Sequence, residues 1–223
     1  MRSSQHISNF LTLQSIQFRS PRLLPPQGIP EKPTLVLDLD HTLICSTQDH
    51  PPARYDFIIS YELDGVSETD YVLKRPGLDQ FLEKLSTKYE LVIFTAGMRE
   101  YASRVVDQID PSGLISHRLY RESCTIVSGQ FVKGLGDLGR ELKKVILVED
   151  KREACVLNPE NAMLVPPFVD DLEDAELGML RHYLEISVLD KFEDLRDAVT
   201  QYNKMGLGDD VLRAFPRATI WQF

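Results

Sequence analysis

The chain has 223 residues, is 43% hydrophobic and carries a formal net charge of -9. A chain of this size and apolar content can bury the core of one substantial domain, which excludes global disorder. The negative charge argues against a general nucleic-acid-binding protein, and the apolar runs are too short and too often interrupted by charges to span a bilayer.

Residues 1–32 are expected to form a flexible lead and linker. Residues 1–24 include Arg2, Arg19 and Arg22, several serines and glutamines, and no acidic residue. This composition is typical of an unstructured tail or of an organelle-targeting presequence, so a mitochondrial location stays open. The prolines between residues 25 and 33 indicate a linker that ends at the first strand. The three cysteines lack metal-binding spacing, which favours reduced thiols in a nuclear or cytoplasmic protein.

The elements predicted after residue 33 alternate between strands and helices. Residues 34–38 (TLVLD) predict a short apolar strand of the kind that is buried in a parallel sheet. Residues 56–63 and 67–74 predict a β-hairpin with Asp64 and Gly65 at its turn. Apolar spacing predicts helices over 78–89 and 98–109, and residues 90–95 (ELVIFT) predict a second buried strand between them.

The second half of the chain continues this alternation. Residues 114–135 predict a strand and a small hairpin broken at Ser128–Gly129, and residues 138–144 (LGRELKK) predict a short helix. Residues 145–150 (VILVED) and 162–168 (AMLVPPF) predict two further strands, and helices over 172–187 and 191–202 follow. We therefore predict an α/β domain at 33–203, with a Rossmann-like doubly wound parallel sheet and small β-hairpin insertions, and a tail at 204–223.

Polar residues follow three of the apolar strands: Asp38, Thr95 and the pair Glu149–Asp150. In an open α/β sheet, ligands bind beyond the carboxyl ends of the strands, so we expect these residues to share one crevice. Two unit charges about 4 Å apart repel by roughly 4 kcal/mol at an effective dielectric of about 20, and a divalent cation would remove that cost. Carboxylate ligands without histidine or cysteine favour Mg²⁺ over zinc.

The spacing of Asp38 and Asp40 suits a two-step phosphoryl transfer. A carboxylate directly after the strand can attack phosphorus and form an aspartyl-phosphate once a metal ion has removed the repulsion from the phosphate. A second acid two residues later can protonate the leaving alkoxide and then deprotonate a water.

Six blocks of the sequence resemble the small carboxy-terminal-domain phosphatases of the haloacid dehalogenase superfamily. They occur in the order typical of that family, between about residues 32 and 199: LVLDLDHTLICS, YVLKRPGLDQFL, LVIFTAGMREYA, RLYRESC, FVKGLGDLGREL and VILVED with LNPENAMLVPPF. The resemblance implies a haloacid-dehalogenase-type fold and a metal-dependent protein phosphatase.

The resemblance also implies a role for each acid of the crevice. Asp38 would be the nucleophile and a Mg²⁺ ligand. Asp40 would be the general acid/base, with its backbone carbonyl on the metal. Asp150 would be the last metal ligand, and Glu149 would lie beside the metal's water shell where the family usually has aspartate. Because Asp150 keeps a carboxylate there, we expect activity to survive this replacement.

Phosphate contacts would come from Thr95, Lys133 and Arg121 according to the same resemblance. Each has an alternative interpretation. Lys133 could be a solvated surface cation, and Thr95 could cap the following helix. Arg121 could instead form an ion pair with a neighbouring glutamate, Glu122 or Glu141.

Substrates of the resembled family are phosphoserine or phosphothreonine proteins, notably the repeated tail of RNA polymerase II. Tyr61, Leu63 and Tyr101 match a hydrophobic pocket that grips a proline beside the phosphoserine, although Tyr61 and Leu63 could simply pack within the hairpin. Gln48 stands where the family has an aromatic residue, which weakens the expected preference for proline.

Two other function classes stay open at this point. Relatives with this fold can act as binding scaffolds or as mitochondrial import-receptor proteins, some of them without the catalytic acids. The third hypothesis is a phosphatase for small metabolites. The superfamily usually shields such substrates with a large cap domain, whereas only two modest hairpins are predicted here, so this hypothesis is less favoured.

Overall fold

A computed structural model describes residues 22–48, 51–188 and 192–205. Most of the predicted lead and tail, residues 1–21 and 206–223, lies outside the described residues. The strands are β1 (Thr34–Leu37), β2 (Ile44–Thr47), β3 (Phe57–Leu63), β4 (Val66–Lys74), β5 (Glu90–Phe94), β6 (His117–Leu119), β7 (Thr125–Val127), β8 (Gln130–Val132), β9 (Val145–Glu149) and β10 (Ala162–Leu164). The α-helices are α1 (Leu78–Ser86), α2 (Arg99–Ile109), α3 (Glu176–His182) and α4 (Leu195–Lys204).

The central sheet is parallel, and its strands lie in the order β10-β9-β1-β5-β6. Strand β1 is the point at which the chain changes direction across the sheet, since β5 pairs with one side of it and β9 with the other. Leu35 and Leu37 point into one hydrophobic core, whereas Val36 points into a second core on the opposite face. The predicted parallel α/β sheet is therefore confirmed, and its switch point lies at β1, where such sheets bind their ligands.

The helices cover the larger of the two cores. Helix α1 buries Leu78, Phe81, Leu82 and Leu85, which are spaced so that they share one face. Helices α2, α3 and α4 add buried side chains to the same core. None of the helices in the described residues is both long enough and apolar enough to cross a membrane.

Short 3₁₀ turns, rather than an α-helix, occupy the region of the predicted helix at 138–144. The turns span Leu135–Leu138 and Leu142–Lys144, and Gly139 between them has a φ of 75°. A residue in this left-handed region interrupts an α-helix, so the apolar residues pack from separate turns onto the second core.

Two hairpins project from the sheet toward the carboxyl ends of its strands. Strands β3 and β4 are joined at Asp64 and Gly65, whose φ angles of 51° and 80° suit the tight turn that the sequence predicts. Strand β2 extends this hairpin into a three-stranded sheet, and β7 and β8 form a separate small hairpin. Both insertions contribute residues to the crevice above β1.

A largely buried ion pair joins β5 to the turn after Gly139. The Arg140 guanidinium donates to both oxygens of Glu90, at 2.8 and 2.7 Å, and the Thr34 hydroxyl donates to the same carboxylate at 2.8 Å. Burial alone would raise the pKa of Glu90, but the donors from Arg140, Gln27 and Thr34 lower it to about 2.

We expect this ion pair to make the protein sensitive to acid. Because the pKa of Glu90 is lower in the folded than in the unfolded chain, its stabilisation is complete above about pH 4.5 and is lost as the pH falls toward 2. Between pH 7 and pH 3, Glu90 should account for roughly 1 to 2 kcal/mol of lost unfolding free energy, after allowing for solvent screening. Urea unfolding of wild type, Glu90→Gln and the exposed control Glu83→Gln at both pH values measures this share. An equal pH dependence in wild type and Glu90→Gln would contradict it.

Candidate active site

The carboxyl ends of three neighbouring strands meet at one cleft of about 640 Å³. Asp38 directly follows β1, Thr95 directly follows β5, and Glu149 ends β9 beside Asp150. All four line the cleft, as do Asp40, Lys133 and Arg121. The structure therefore brings together every polar residue that the sequence analysis assigned to the reaction.

Asp38 is held in a defined orientation at the base of the cleft. Its backbone N–H continues the sheet by donating to the Val148 carbonyl at 3.0 Å. Its Oδ2 accepts a hydrogen bond from the Thr42 hydroxyl at 3.0 Å, and its Oδ1 accepts one from the Lys133 ammonium. The carboxylate is largely buried, but it retains access to the cleft.

Lys133 follows β8 and carries its ammonium into the protein. Its side chain is 2% exposed and contacts both Asp38 and Glu149. Burial alone would lower the pKa of Lys133, but the two carboxylates raise it above its ordinary value, so the ammonium stays charged. The alternative of a solvated surface cation is therefore wrong.

Asp38, Glu149 and Asp150 form an acidic cluster, with one oxygen from each within 4.8 Å of the others. Lys133 supplies a single positive charge to this cluster, and Asp150 Oδ1 is buried without a hydrogen-bond partner among the described residues. Excess carboxylate and an unpartnered hard oxygen suit a divalent cation such as Mg²⁺. The donor set therefore fits the metal ion that the sequence analysis expected.

Glu149 has a second contact that the sequence did not indicate. Besides Lys133, its carboxylate accepts from the Lys151 backbone N–H at 3.1 Å. Burial, and then the charge of Asp38, raise the pKa of Glu149, while Lys133 opposes them. The longer side chain of Glu149 therefore reaches Lys133, and Glu149 and Asp38 share the single positive charge of that lysine.

Asp40 lies above the cluster, and its carboxyl faces α2 and β2. Its Oδ1 accepts a hydrogen bond from the Tyr101 hydroxyl at 2.5 Å, and that hydroxyl lies 2.7 Å from Ser46 Oγ. Burial raises the pKa of Asp40 to about 6; the bond from Tyr101 opposes this rise, and the charge of Asp38 adds to it. A carboxyl with a pKa near neutrality can donate and accept a proton at the same pH, as a general acid/base must.

Thr95 and Arg121 line the opposite side of the cleft. The Thr95 hydroxyl accepts from the Gly97 backbone N–H at 2.8 Å, and helix α2 begins after Met98, so Thr95 does not cap it. Arg121 Nε donates to the Ala96 carbonyl at 2.6 Å, and its guanidinium carbon lies 5.1 Å from the centre of the Phe131 ring. Neither alternative ion pair forms among the described residues, since Glu122 contacts Arg99 and Glu141 contacts Lys143.

The expected hydrophobic pocket is more polar than the sequence analysis anticipated. Tyr61 and Tyr101 line the cleft, with their ring centres 5.7 Å apart. Leu63 does not line the cleft, because it lies at the turn end of β3 and packs against the main core. Gln48 donates to the Tyr61 hydroxyl at 2.8 Å.

Asp70 also lines the cleft, and the sequence analysis missed it. It lies on β4 two residues before the fully buried Val72, and therefore on the same inward face of the strand. The signal was present in the sequence, because a charged residue at an inward position breaks the alternation of the strand.

A backbone clamp holds the turn that follows Asp38. His41 has a φ of 64°; its carbonyl accepts from the Phe168 N–H at 2.7 Å, and its Nδ1 lies 3.0 Å from the Phe168 carbonyl oxygen. The Arg75 guanidinium lies 5.6 Å from the centre of the Phe168 ring and donates to the Thr42 carbonyl at 3.1 Å. Distant parts of the chain thus fix the conformation of the turn between the two aspartates and β2.

A family model and several curated relatives match most of this chain. Residues 33–196 match the model of the NLI interacting factor-like phosphatase family. The human CTD small phosphatase-like protein is 44% identical over 154 residues, which cover 69% of this chain and 55% of that protein. The human carboxy-terminal domain RNA polymerase II polypeptide A small phosphatase 1 is 39% identical over 171 residues, which cover 77% of this chain and 64% of that protein.

Solved structures show the same fold at lower sequence identity. Fission yeast RNA polymerase II CTD phosphatase Fcp1, in a variant bound to beryllium fluoride, aligns with a TM-score of 0.52 and 24% identity over 85% of this chain and 50% of that one. The chain spans about half of the length of the first curated relatives it matches.

Proposed function

Because the chain belongs to the NLI interacting factor-like phosphatase family, we propose that it is a Mg²⁺-dependent protein serine/threonine phosphatase that works through an aspartyl-phosphate. The observation that carries this proposal is the cluster of Asp38, Glu149 and Asp150 around one position at the switch point of the sheet. An acidic cluster with a single ammonium is costly to bury, so it favours a site that a metal ion completes during catalysis.

Asp38 is the nucleophile in this proposal. Its bonds from Thr42 and Lys133 direct the carboxylate toward the cleft, where an oxygen can attack phosphorus as the serine or threonine alkoxide leaves. Asp40 donates its proton to that alkoxide and later takes one from the water that hydrolyses the aspartyl-phosphate. The raised pKa of Asp40, caused mainly by burial, suits both steps.

The phosphate oxygens would contact Lys133, Thr95 and Arg121. All three line the same cleft as Asp38, and Lys133 brings a full positive charge. Donors that are already in place where negative charge develops lower the barrier without any reorganisation during the reaction.

Mg²⁺ would be held by the carboxylates of Asp38 and Asp150 and by the backbone carbonyl of Asp40. When bound, the ion would neutralise the repulsion between the phosphate dianion and the Asp38 carboxylate. Asp150 Oδ1 is well suited to this role because it is buried and has no other partner within the described residues.

We propose phosphoserine- or phosphothreonine-containing proteins as substrates, including the RNA polymerase II tail on which relatives are named to act. Within the described residues, the insertions that line the cleft are two small hairpins, so an extended peptide can enter where a large cap would exclude it. Such substrates imply a nuclear or cytoplasmic location, which imaging of the full-length protein can check.

Removing the metal ion should abolish activity. We expect the purified protein to hydrolyse an aryl phosphate and a phosphoserine peptide in the presence of Mg²⁺, to lose at least about a hundredfold in rate with a chelator, and to recover when excess Mg²⁺ is added. Released phosphate is the readout. An equal rate with and without chelator would contradict the proposed metal, and peptide binding without turnover would favour a scaffold.

A further inference from the structure

The wall of the cleft next to the β2–β4 sheet carries a buried carboxylate outside the reaction cluster. Asp70 is 3% exposed and lies on the inward face of β4. It directly precedes Tyr71, whose pair with Thr47 is at the end of the pairing between β2 and β4. An apolar side chain would ordinarily fill such a position, because a buried charge is costly unless it has partners.

Asp70 has one weak partner among the described residues. Its Oδ1 accepts from the Tyr61 hydroxyl at 3.3 Å, near the upper limit for a hydrogen bond. No lysine or arginine in the described ranges forms an ion pair with it. Since Asp70 lines the cleft, a compensating cation can reach it from the cleft.

The basic residues that line the cleft in the described part of the chain lie outside the β2–β4 sheet. Lys133 contacts Asp38, where the phosphate would bind, and Arg121 and Lys151 follow β6 and β9. The other wall presents Asp70, the Gln48 amide and the rings of Tyr61 and Tyr101. Aromatic rings beside a carboxylate suit an ammonium or a guanidinium, whereas a proline or leucine would leave these polar groups without partners.

We propose that the cleft selects phosphopeptides with a lysine or arginine close to the phosphorylated residue, and that the Asp70 carboxylate pairs with that side chain. Successive contacts lead from Asp70 through Tyr61 and Tyr101 to Asp40, so we expect the basic residue close to the phosphoserine. Three extended residues span at most about 10 Å, which sets the range of positions to test. This inference rests on the proposed function and adds the class of substrate sequence to it.

Matched phosphoserine peptides provide the test. They carry lysine, acetyl-lysine, arginine, leucine or proline at each position within three residues of the phosphoserine, and kcat/KM is measured for each with the full chain and Mg²⁺. Acetyl-lysine keeps the length of lysine but removes its charge. At the best position, we expect lysine to exceed acetyl-lysine by about tenfold, or about 1.4 kcal/mol, because water in the cleft screens much of the attraction between the two charges.

Variants of Asp70 then assign this preference to its carboxylate. In Asp70→Asn, the lysine and acetyl-lysine peptides should have equal kcat/KM. In Asp70→Val, the leucine peptide should have the highest kcat/KM. Glu62→Gln removes the same charge from an exposed position on β3 and should keep the preference of the wild type. Because each comparison is a ratio within one variant, a change in overall activity or folding does not affect it.

Binding to the Asp38→Asn variant separates this inference from the proposed function. Calorimetry with the lysine and acetyl-lysine peptides should give the same preference of about tenfold in Kd. Selective binding without turnover in the wild type would overturn only the proposed phosphatase activity. Turnover with equal rates for all peptides would overturn the preference for a basic residue, and a lysine preference that survives in Asp70→Asn would overturn its assignment to Asp70; neither outcome would affect the proposed phosphatase activity.

Discussion

Asp38→Asn is expected to lower the phosphatase rate by at least about a thousandfold, because an amide cannot attack phosphorus to form the aspartyl-phosphate. The substitution keeps the shape of the side chain and one oxygen that can accept from Thr42 or Lys133. Steady-state hydrolysis of an aryl phosphate measures the loss. Acid-quenched samples should contain a phosphorylated wild-type chain and an unmodified variant chain.

The same substitution should not unfold the protein. Asp38, Glu149 and Asp150 share the single ammonium of Lys133, so removing one negative charge relieves repulsion in the metal-free protein. We expect Tm in chelator to be equal to or higher than that of the wild type. The exposed Asp137→Asn serves as the control and should keep full activity. A variant at Asp38 that retains a tenth of the wild-type rate would exclude this residue as the nucleophile.

Lys133→Met is expected to impair both activity and stability. It removes the ammonium that contacts Asp38 and Glu149 and leaves both buried carboxylates without a cation. Breaking a buried ion pair in this way costs about 3 kcal/mol of unfolding free energy, and the loss of a phosphate donor should lower kcat/KM by about a hundredfold or more. Urea unfolding and phosphate release measure the two effects separately.

Mg²⁺ should partly restore the stability of Lys133→Met, because the ion can compensate the carboxylates that the lysine no longer pairs. The rate should not recover to the same extent, since the phosphate would still lack its donor. Lys84→Met, on the exposed face of α1, controls for the loss of a lysine and should match the wild type in both measurements. Full activity in Lys133→Met would show that the ammonium does not contact the phosphate.

The central sheet could be predicted from the sequence because its strands have an unambiguous pattern. Strands β1, β5 and β9 are buried on both faces, so each appears as a continuous apolar run that ends at a polar residue. The Asp64–Gly65 turn is equally distinct, since two successive residues with positive φ strongly favour this pair. These local signals were sufficient to place Asp38, Thr95 and Asp150 at one edge of the sheet.

Contacts between side chains from distant segments could not be predicted in the same way. Nothing near Glu149 in the sequence indicates that its carboxylate reaches Lys133, because that contact depends on how β8 packs on the turn at residues 152–155, after β9. The left-handed conformation of Gly139, which replaced the predicted helix by two turns, depends likewise on packing against the second core. Asp70 is different, since the alternation of β4 already marked it as an inward charge.

The clamp between His41 and Phe168 joins residues 127 positions apart in the chain. We therefore expect the turn that carries Asp40 to reach its final conformation only after the segment beyond β10 has docked beside it. We expect that a nascent chain forms much of its central sheet before it can cleave a phosphate ester, so that competence for the reaction appears as one of the last events of folding.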